Sequence, residues 1–187
     1  MEYWDIVDEN GRFLYTAPAD IKCKHGEYHF AAEVWPVNPH GEILIQKRSL
    51  QCPILPGVWG LTTGRIQSGE TTAQGAVREL REELGLSVPV NRLIFLERII
   101  RRDETHLIWD IFTVKIFAEI SSLQMQTSEV EQALWVPPSK FLQMVKNGDL
   151  NNYPELEQML QKDDGCDRMA VAENLFDGWR ECRYAEI

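Results

Sequence analysis

The chain has 187 residues, 44% of them apolar, and 29 acidic against 19 basic side chains leave a formal net charge of −10. That length fits one domain with a sizeable core. The charge speaks against non-specific nucleic-acid binding, which needs basic groups to meet phosphates. No apolar run approaches the roughly 18 residues that cross a bilayer.

The opening, MEYWDIVDEN, does not read as a secretory leader, and none is expected. Cys23, Cys52, Cys166 and Cys182 show no CxxC spacing, so reduced thiols in a cytoplasmic protein are expected. Strand-like runs at 5–7 and 13–15 flank Glu9-Asn10-Gly11, where Asn-Gly favours a tight hairpin turn. A longer hairpin follows, with strands at 29–37 and 42–48 around Asn38-Pro39-His40-Gly41. Residues 51–57 hold two prolines and a glycine and read as a loop.

The segment from Gly64 to Leu86 reads as loop, helix, loop. Gly64 and Gly69 bracket a loop expected to turn tightly. Thr71 and Gln74 form a capping box that starts the helix, and Gly85 stops it. Ala73, Ala76, Val77, Leu80 and Leu84 make an apolar stripe at helical spacing. Strand-like runs follow at 92–101 and 107–117, then a short strand at 134–136 and a helix over 139–147 stopped by Gly148. The tail reads as two helical pieces, 154–161 and 167–176. One domain is expected over 1–187: an N-terminal hairpin at 3–16, a core at about 28–148 and a helical tail at about 150–187. The tail's apolar positions either pack on the domain or make a homodimer interface.

Glu79, Glu82 and Glu83 lie at i, i+3 and i+4, so on a helix they point the same way. Like charges at that spacing repel, and a hard cation such as Mg²⁺ relieves the repulsion by taking their oxygens. An ordinary acidic surface face is the alternative. The surrounding residues decide between the two. Gly64, Glu70, Arg78, Glu79, Leu80, Glu82, Glu83, Gly85 and Leu86 fit G-x5-E-x7-R-E-U-x-E-E-x-G-U at every fixed position, with U a bulky aliphatic residue. This run resembles the Nudix box.

The resemblance implies an α/β/α sandwich around a mixed sheet, here with an added helical tail. It also implies Mg²⁺ or Mn²⁺ as cofactor and hydrolysis of a diphosphate linkage in a small phosphorylated nucleoside derivative. By the family pattern Glu79, Glu82 and Glu83 hold the metal, and Glu82 or Glu83 can serve as general base. Glu70 would support the cluster and Arg78 would orient Glu79; a purely structural ion pair between Glu70 and Arg78 is the other reading. Some Nudix enzymes carry the base on a later loop, which brings in Glu129 ahead of Glu131, although surface solvation is the favoured reading of both. Lys47 and Arg48 end a strand and could contact a phosphate, or simply be solvated there.

WDIVDENG, GEYHFAAEVWPVN, GEILIQKRS and PGVW, within about 3–148, resemble the Nudix branch related to isopentenyl-diphosphate isomerase. In that enzyme a cysteine precedes the box glycine and a metal-binding histidine follows it; here those places hold Thr63 and Arg65. A threonine hydroxyl does not titrate near neutrality and arginine does not ligate a cation, so isomerisation is the less favoured reading. A non-catalytic module on the same fold is a further alternative, although such modules often lose box carboxylates and this chain keeps all of them. His25-Gly-Glu27-Tyr-His29 only superficially resembles HExxH, since the glutamate is misplaced; His29 is expected to begin a strand. Trp35, Trp59 and Trp109 are core or pocket-wall candidates. The marks of the ADP-ribose, dinucleoside polyphosphate and coenzyme A branches are missing or partial, with Arg101, Asp103 and Glu104 in the diagnostic places.

Overall fold

The structure is a computed structural model that describes residues 2–151. Its strands are β1 (Tyr3–Val7), β2 (Phe13–Pro18), β3 (Tyr28–Val37), β4 (Ile43–Arg48), β5 (Trp59–Gly60), β6 (Thr62–Arg65), β7 (Ile94–Arg101), β8 (Leu107–Lys115) and β9 (Val130–Val136). The helices are α1 (Thr72–Leu84), between β6 and β7, and α2 (Pro138–Asn147), after β9. The helical pieces expected at 154–161 and 167–176 lie outside the described residues.

The strands form one mixed sheet with β3 at its centre. β8 runs parallel to β3 along its length, from His29↔Leu107 to Val37↔Lys115. The other edge of β3 takes β1, β6 and β4 in turn, all antiparallel. β3 and β4 touch only at Val37↔Ile43 and then diverge, and β5 pairs with β4 where they separate.

Period-two alternation along β3 feeds two cores. Ala32 and Val34 pack with Ala76, Leu80 and Leu84 of α1 and with Leu44, Phe112 and Val130. Ala31 and Trp35 face the other way, toward Phe141, Met144 and Val145 of α2 and toward Ile43, Ile45 and Trp109. The arrangement is an α/β/α sandwich, as the sequence led one to expect.

α1 forms where its signals place it. Thr71 Oγ1 accepts from Gln74 N at 3.2 Å, and Gln74 Oε1 accepts from Thr71 N at 2.8 Å. Gly85 takes a left-handed φ of 71°, which only glycine adopts without strain. Three differences stand out. Gly64 and Arg65 belong to a strand, and Gly64 is not among the glycines with positive φ; the tight turn sits at Gly69, with φ 84°. That strand was missed because LTTGR is short of apolar residues and is held by pairing with the distant β3. β9 starts at Val130, since four of its seven positions are exposed or half-exposed and give no apolar run. β7 starts at Ile94, after a 3₁₀ turn over Val90–Arg92.

Candidate active site at the acidic helix

The glutamate face of α1 lies against β6 and the end of β4. Arg78 is its hub. Nε donates to Glu70 Oε1 at 2.9 Å, and Nη1 donates to Glu79 Oε1 at 2.7 Å and Glu82 Oε2 at 3.0 Å. Nη2 donates to Glu70 Oε2 at 3.1 Å and to the Arg65 carbonyl at 2.8 Å. All five guanidinium N–H groups are therefore used. Glu70 Oε2 also accepts from Gln67 N at 3.0 Å, which closes the turn before the helix. The Glu70–Arg78 pair expected from sequence is thus formed, and it grips two of the three clustered glutamates as well.

Gly64 explains how Glu79 reaches its place. A Cβ at Gly64 would fall 2.0 Å from Glu79 Cδ and Oε1 and 2.4 Å from Cγ. The glycine is thus a seat, where the backbone of β6 passes beneath a carboxylate with no room for a methyl group. Burial raises Glu79 above the usual carboxylate range; Arg78 draws it back, while Glu82 and Glu129 add to the rise.

Glu83 is deeper, 2% exposed. Its Oε2 accepts from Gln46 Nε2 at 2.7 Å, and Gln46 Oε1 accepts from Thr62 Oγ1 at 3.4 Å. Burial pushes Glu83 up to about 8, helped by the charges of Glu79 and Glu129 and opposed by Gln46 and Arg48. Glu82 stands at the solvent side, with its side chain 43% exposed.

The loop before β9 is tied to the end of α1. Gln124 N donates to Leu84 O and Gln126 N to Glu83 O, both at 3.0 Å, so two terminal carbonyls of the helix are satisfied by this loop. A Cβ on Gly85 would meet Gln124 Cβ at 2.6 Å, so the loop can approach only a glycine there. This docking brings Glu129 close enough to influence both Glu79 and Glu83. Its carboxylate accepts from Gln126 Nε2 at 3.1 Å.

The two basic candidates part company. Arg48 donates Nε to Ile54 O at 3.0 Å and its charge reaches Glu83. Lys47 pairs with Glu131 at 3.2 Å. The alternation of β4 sends Leu44 and Gln46 toward α1, and Ile43 and Ile45 toward α2, with Lys47 following them. His29 lies within β3, 4% exposed, and Glu27 accepts from Tyr15 Oη at 3.0 Å and Lys24 N at 2.8 Å. The sequence reading overlooked Gln46, which sits beside two charged residues. The β4 alternation that puts it on the face of Leu44 was the available signal.

No three His, Cys, Asp or Glu side chains converge as a formed metal site among the described residues, because Arg78 draws Glu79 and Glu82 toward itself. The donor set nevertheless suits a hard cation. Burial raises Glu79 and Glu83 above their ordinary range, the charges of Glu82 and Glu129 add to the rise of Glu79 and those of Glu79 and Glu129 to that of Glu83, and a divalent cation would relieve this crowding of carboxylates through oxygen ligands.

Comparison with known proteins gives consistent results. A family model described as NUDIX domain matches residues 27–158. An uncharacterized Nudix hydrolase of Listeria innocua is 30% identical over 165 residues, covering 86% of this chain and 95% of the relative. An isopentenyl-diphosphate Delta-isomerase of Corynebacterium diphtheriae is 29% identical over 166 residues, covering 83% and 90%. Among solved structures, a Deinococcus radiodurans protein shares the fold at a TM-score of 0.69 with 19% identity, covering 84% of this chain and 96% of that one.

Proposed function

The chain belongs to the Nudix family, and from that premise we propose that it hydrolyses a diphosphate linkage in a nucleoside diphosphate derivative or nucleotide, with Mg²⁺ or Mn²⁺. The observation that carries the reading is the close pair of carboxylates, Glu79 on its glycine seat and the buried Glu83 against Gln46, with the charge of Glu79 raising Glu83. A protein that needed only a stable helix gains nothing from a carboxylate 2% exposed beside two others.

Glu79, Glu82 and Glu83 would hold the cation. When bound, the cation would lower the pKa of an attacking water and offset charge on the phosphoryl oxygens. The protein's own contribution is position. Arg78 fixes Glu79 and Glu82, Glu70 fixes Arg78, and Gln46 fixes Glu83. Glu129, on the loop docked to the end of α1, would accept a proton from water as general base, a role worth about 10²–10⁴-fold in such enzymes. Arg48 is the better phosphate contact of the two basic residues, because its charge already reaches Glu83.

Isomerisation is disfavoured by Thr63, whose hydroxyl donates to Leu61 O at 3.2 Å and Glu33 Oε2 at 3.3 Å and offers no thiol chemistry. The reading takes a small phosphorylated molecule as partner, in a reducing cytoplasm. Cys23 and Cys52 are free thiols, and no helix among the described residues is long and apolar enough to cross a membrane.

The test is product release from a panel of nucleotides and diphosphate conjugates with Mg²⁺ or Mn²⁺, repeated on Glu83→Gln. Turnover of one compound class that collapses in the variant supports the hydrolase and names its substrate. A folded, metal-loaded protein that turns over nothing favours a binding module.

A further inference from the structure

β6 carries chemistry on both faces. Gly64 faces α1, so Thr63 and Arg65 project to the opposite side. The Arg65 carbonyl accepts from Arg78 at 2.8 Å, which makes this one residue the link between the glutamate cluster and what lies beyond the sheet. β6 pairs only with β3 among the described strands, which leaves its other edge without a strand partner there.

The Arg65 guanidinium lies over the Trp4 ring, 5.9 Å from its centroid, and Trp4 in turn stacks on His29 with centroids 4.2 Å apart and planes 7° from parallel. Among the described residues Arg65 meets no carboxylate. Burial, followed by the charge of Arg101, works against its positive form. Two further polar atoms nearby are buried without a hydrogen-bond partner: Trp4 Nε1, which can only donate, and His29 Nδ1 on a side chain 4% exposed. Orphaned buried donors are rare, because each forfeits its hydration with nothing in return. Trp4 Nε1 is such a donor, and it lies beside a half-buried cation that meets no carboxylate among the described residues, in a chain of net charge −10 that has acidic groups to spare. Glu33, a buried carboxylate on this face, is engaged by Trp35 Nε1 at 2.7 Å and Thr63 Oγ1 at 3.3 Å, so the Arg65 guanidinium is left for an acceptor from outside.

We propose that Arg65 and the Trp4 indole N–H form an oxyanion subsite on the sheet face opposite the glutamates, taking a phosphate or carboxylate carried by the second moiety of the diphosphate substrate. The substrate would then straddle the open edge of β6, its scissile linkage at the glutamates and its distal anion at Arg65. The guanidinium supplies charge-assisted donors in a fork that suits such a group. The aromatic pair Trp4–His29 keeps that fork oriented through cation–π contact. This assignment rests on the hydrolase reading for the identity of the ligand, and on the orphaned Trp4 donor beside the Arg65 guanidinium for the existence of the site.

The two are tested apart. Calorimetric titration of the metal-free protein with inorganic phosphate probes Arg65 without any turnover. Phosphate affinity is expected to fall at least tenfold in Arg65→Gln and about threefold in Trp4→Phe, which keeps the ring and loses the donor. Arg65→Lys retains more affinity than Arg65→Gln. Arg81→Gln, which removes the same charge at an exposed position, leaves the affinity unchanged. Unaltered phosphate affinity in Arg65→Gln, or no phosphate binding by the native chain, overturns the subsite, with thermal melting confirming that each variant is folded. With a turned-over substrate in hand, Arg65→Gln is expected to raise KM at least tenfold with kcat within threefold. An unchanged KM removes the substrate's own anion from this site. Absence of turnover by any compound counts against the hydrolase reading, while the phosphate titration still reports on Arg65.

Discussion

The seat at Gly64 makes a sharp prediction for Gly64→Ala. The backbone there is ordinary strand, so alanine adds no conformational strain and even suits a strand better. Its methyl group, however, would lie 2.0 Å from Glu79 Cδ and Oε1. Glu79 must swing away, breaking its 2.7 Å bond to Arg78 Nη1. Losing a charge-assisted bond costs about 1.5–3 kcal/mol, and crowding into a packed site costs about 1–3 kcal/mol. Because the displaced group is the end of a flexible side chain, the lower part of those ranges is expected for the fold. Function should suffer more. A catalytic or ligating group misplaced by about 1 Å can lose on the order of 10²-fold in rate.

The assay is kcat/KM on the substrate class found by the panel, with Mn²⁺ affinity by calorimetry and thermal melting on the same samples. Gly64→Ala is expected to stay folded, to lose at least tenfold in Mn²⁺ affinity and about a hundredfold in kcat/KM. A variant within threefold of the native chain in both would refute the seat. So would one that loses stability alone.

Other outcomes follow from the same cluster. Glu83 has a folded-state value raised from 4.5 to about 8, so its contribution to metal-free stability is complete below 4.5 and is lost as pH rises through about 8. The gap corresponds to at most about 5 kcal/mol. Urea melts in EDTA at pH 5 and 8.5 should show Glu83→Gln gaining on the native chain at the higher pH, and divalent cation should reverse the difference; parallel pH profiles would contradict it. Arg78→Lys keeps the charge but offers three donors where five are used, so at least two of the bonds to Glu70, Glu79, Glu82 and the Arg65 carbonyl are lost. Removing a partner from such a network costs about 3–5 kcal/mol, and Arg78→Lys should recover only part of what Arg78→Ala loses in melting and in kcat. Glu129→Gln should lower kcat at least tenfold, whereas Glu131→Gln, which releases only the half-buried Lys47, should leave it unchanged; equal effects of the two would remove Glu129 from the mechanism.

Much of the site's scaffold is local and was therefore legible in one dimension. The Thr71–Gln74 box, the αL glycine at position 85 and the i, i+3, i+4 glutamates each depend on residues within a turn or two. Alternation in β3 likewise declares its two faces without knowledge of the neighbours. These are properties of backbone geometry and side-chain period, and any chain with this order of residues would carry them.

Other features exist only because distant segments meet. Gly64 reads as a turn until β6 is seen passing under Glu79. Gln46 gains a purpose from a glutamate 37 residues away, and Lys47 is turned from the cluster by the alternation that points Gln46 into it. Glu129 joins through a loop that borrows the last carbonyls of α1. Arg65 looks like an ordinary polar residue until β1 sets Trp4 beneath its guanidinium. Sequence order and period determine which side chains share an element face. Which faces then share a space depends on sheet pairing between remote strands, and that pairing decides burial, and with it the raised pKa of Glu83 and the orphaned Trp4 donor beside Arg65.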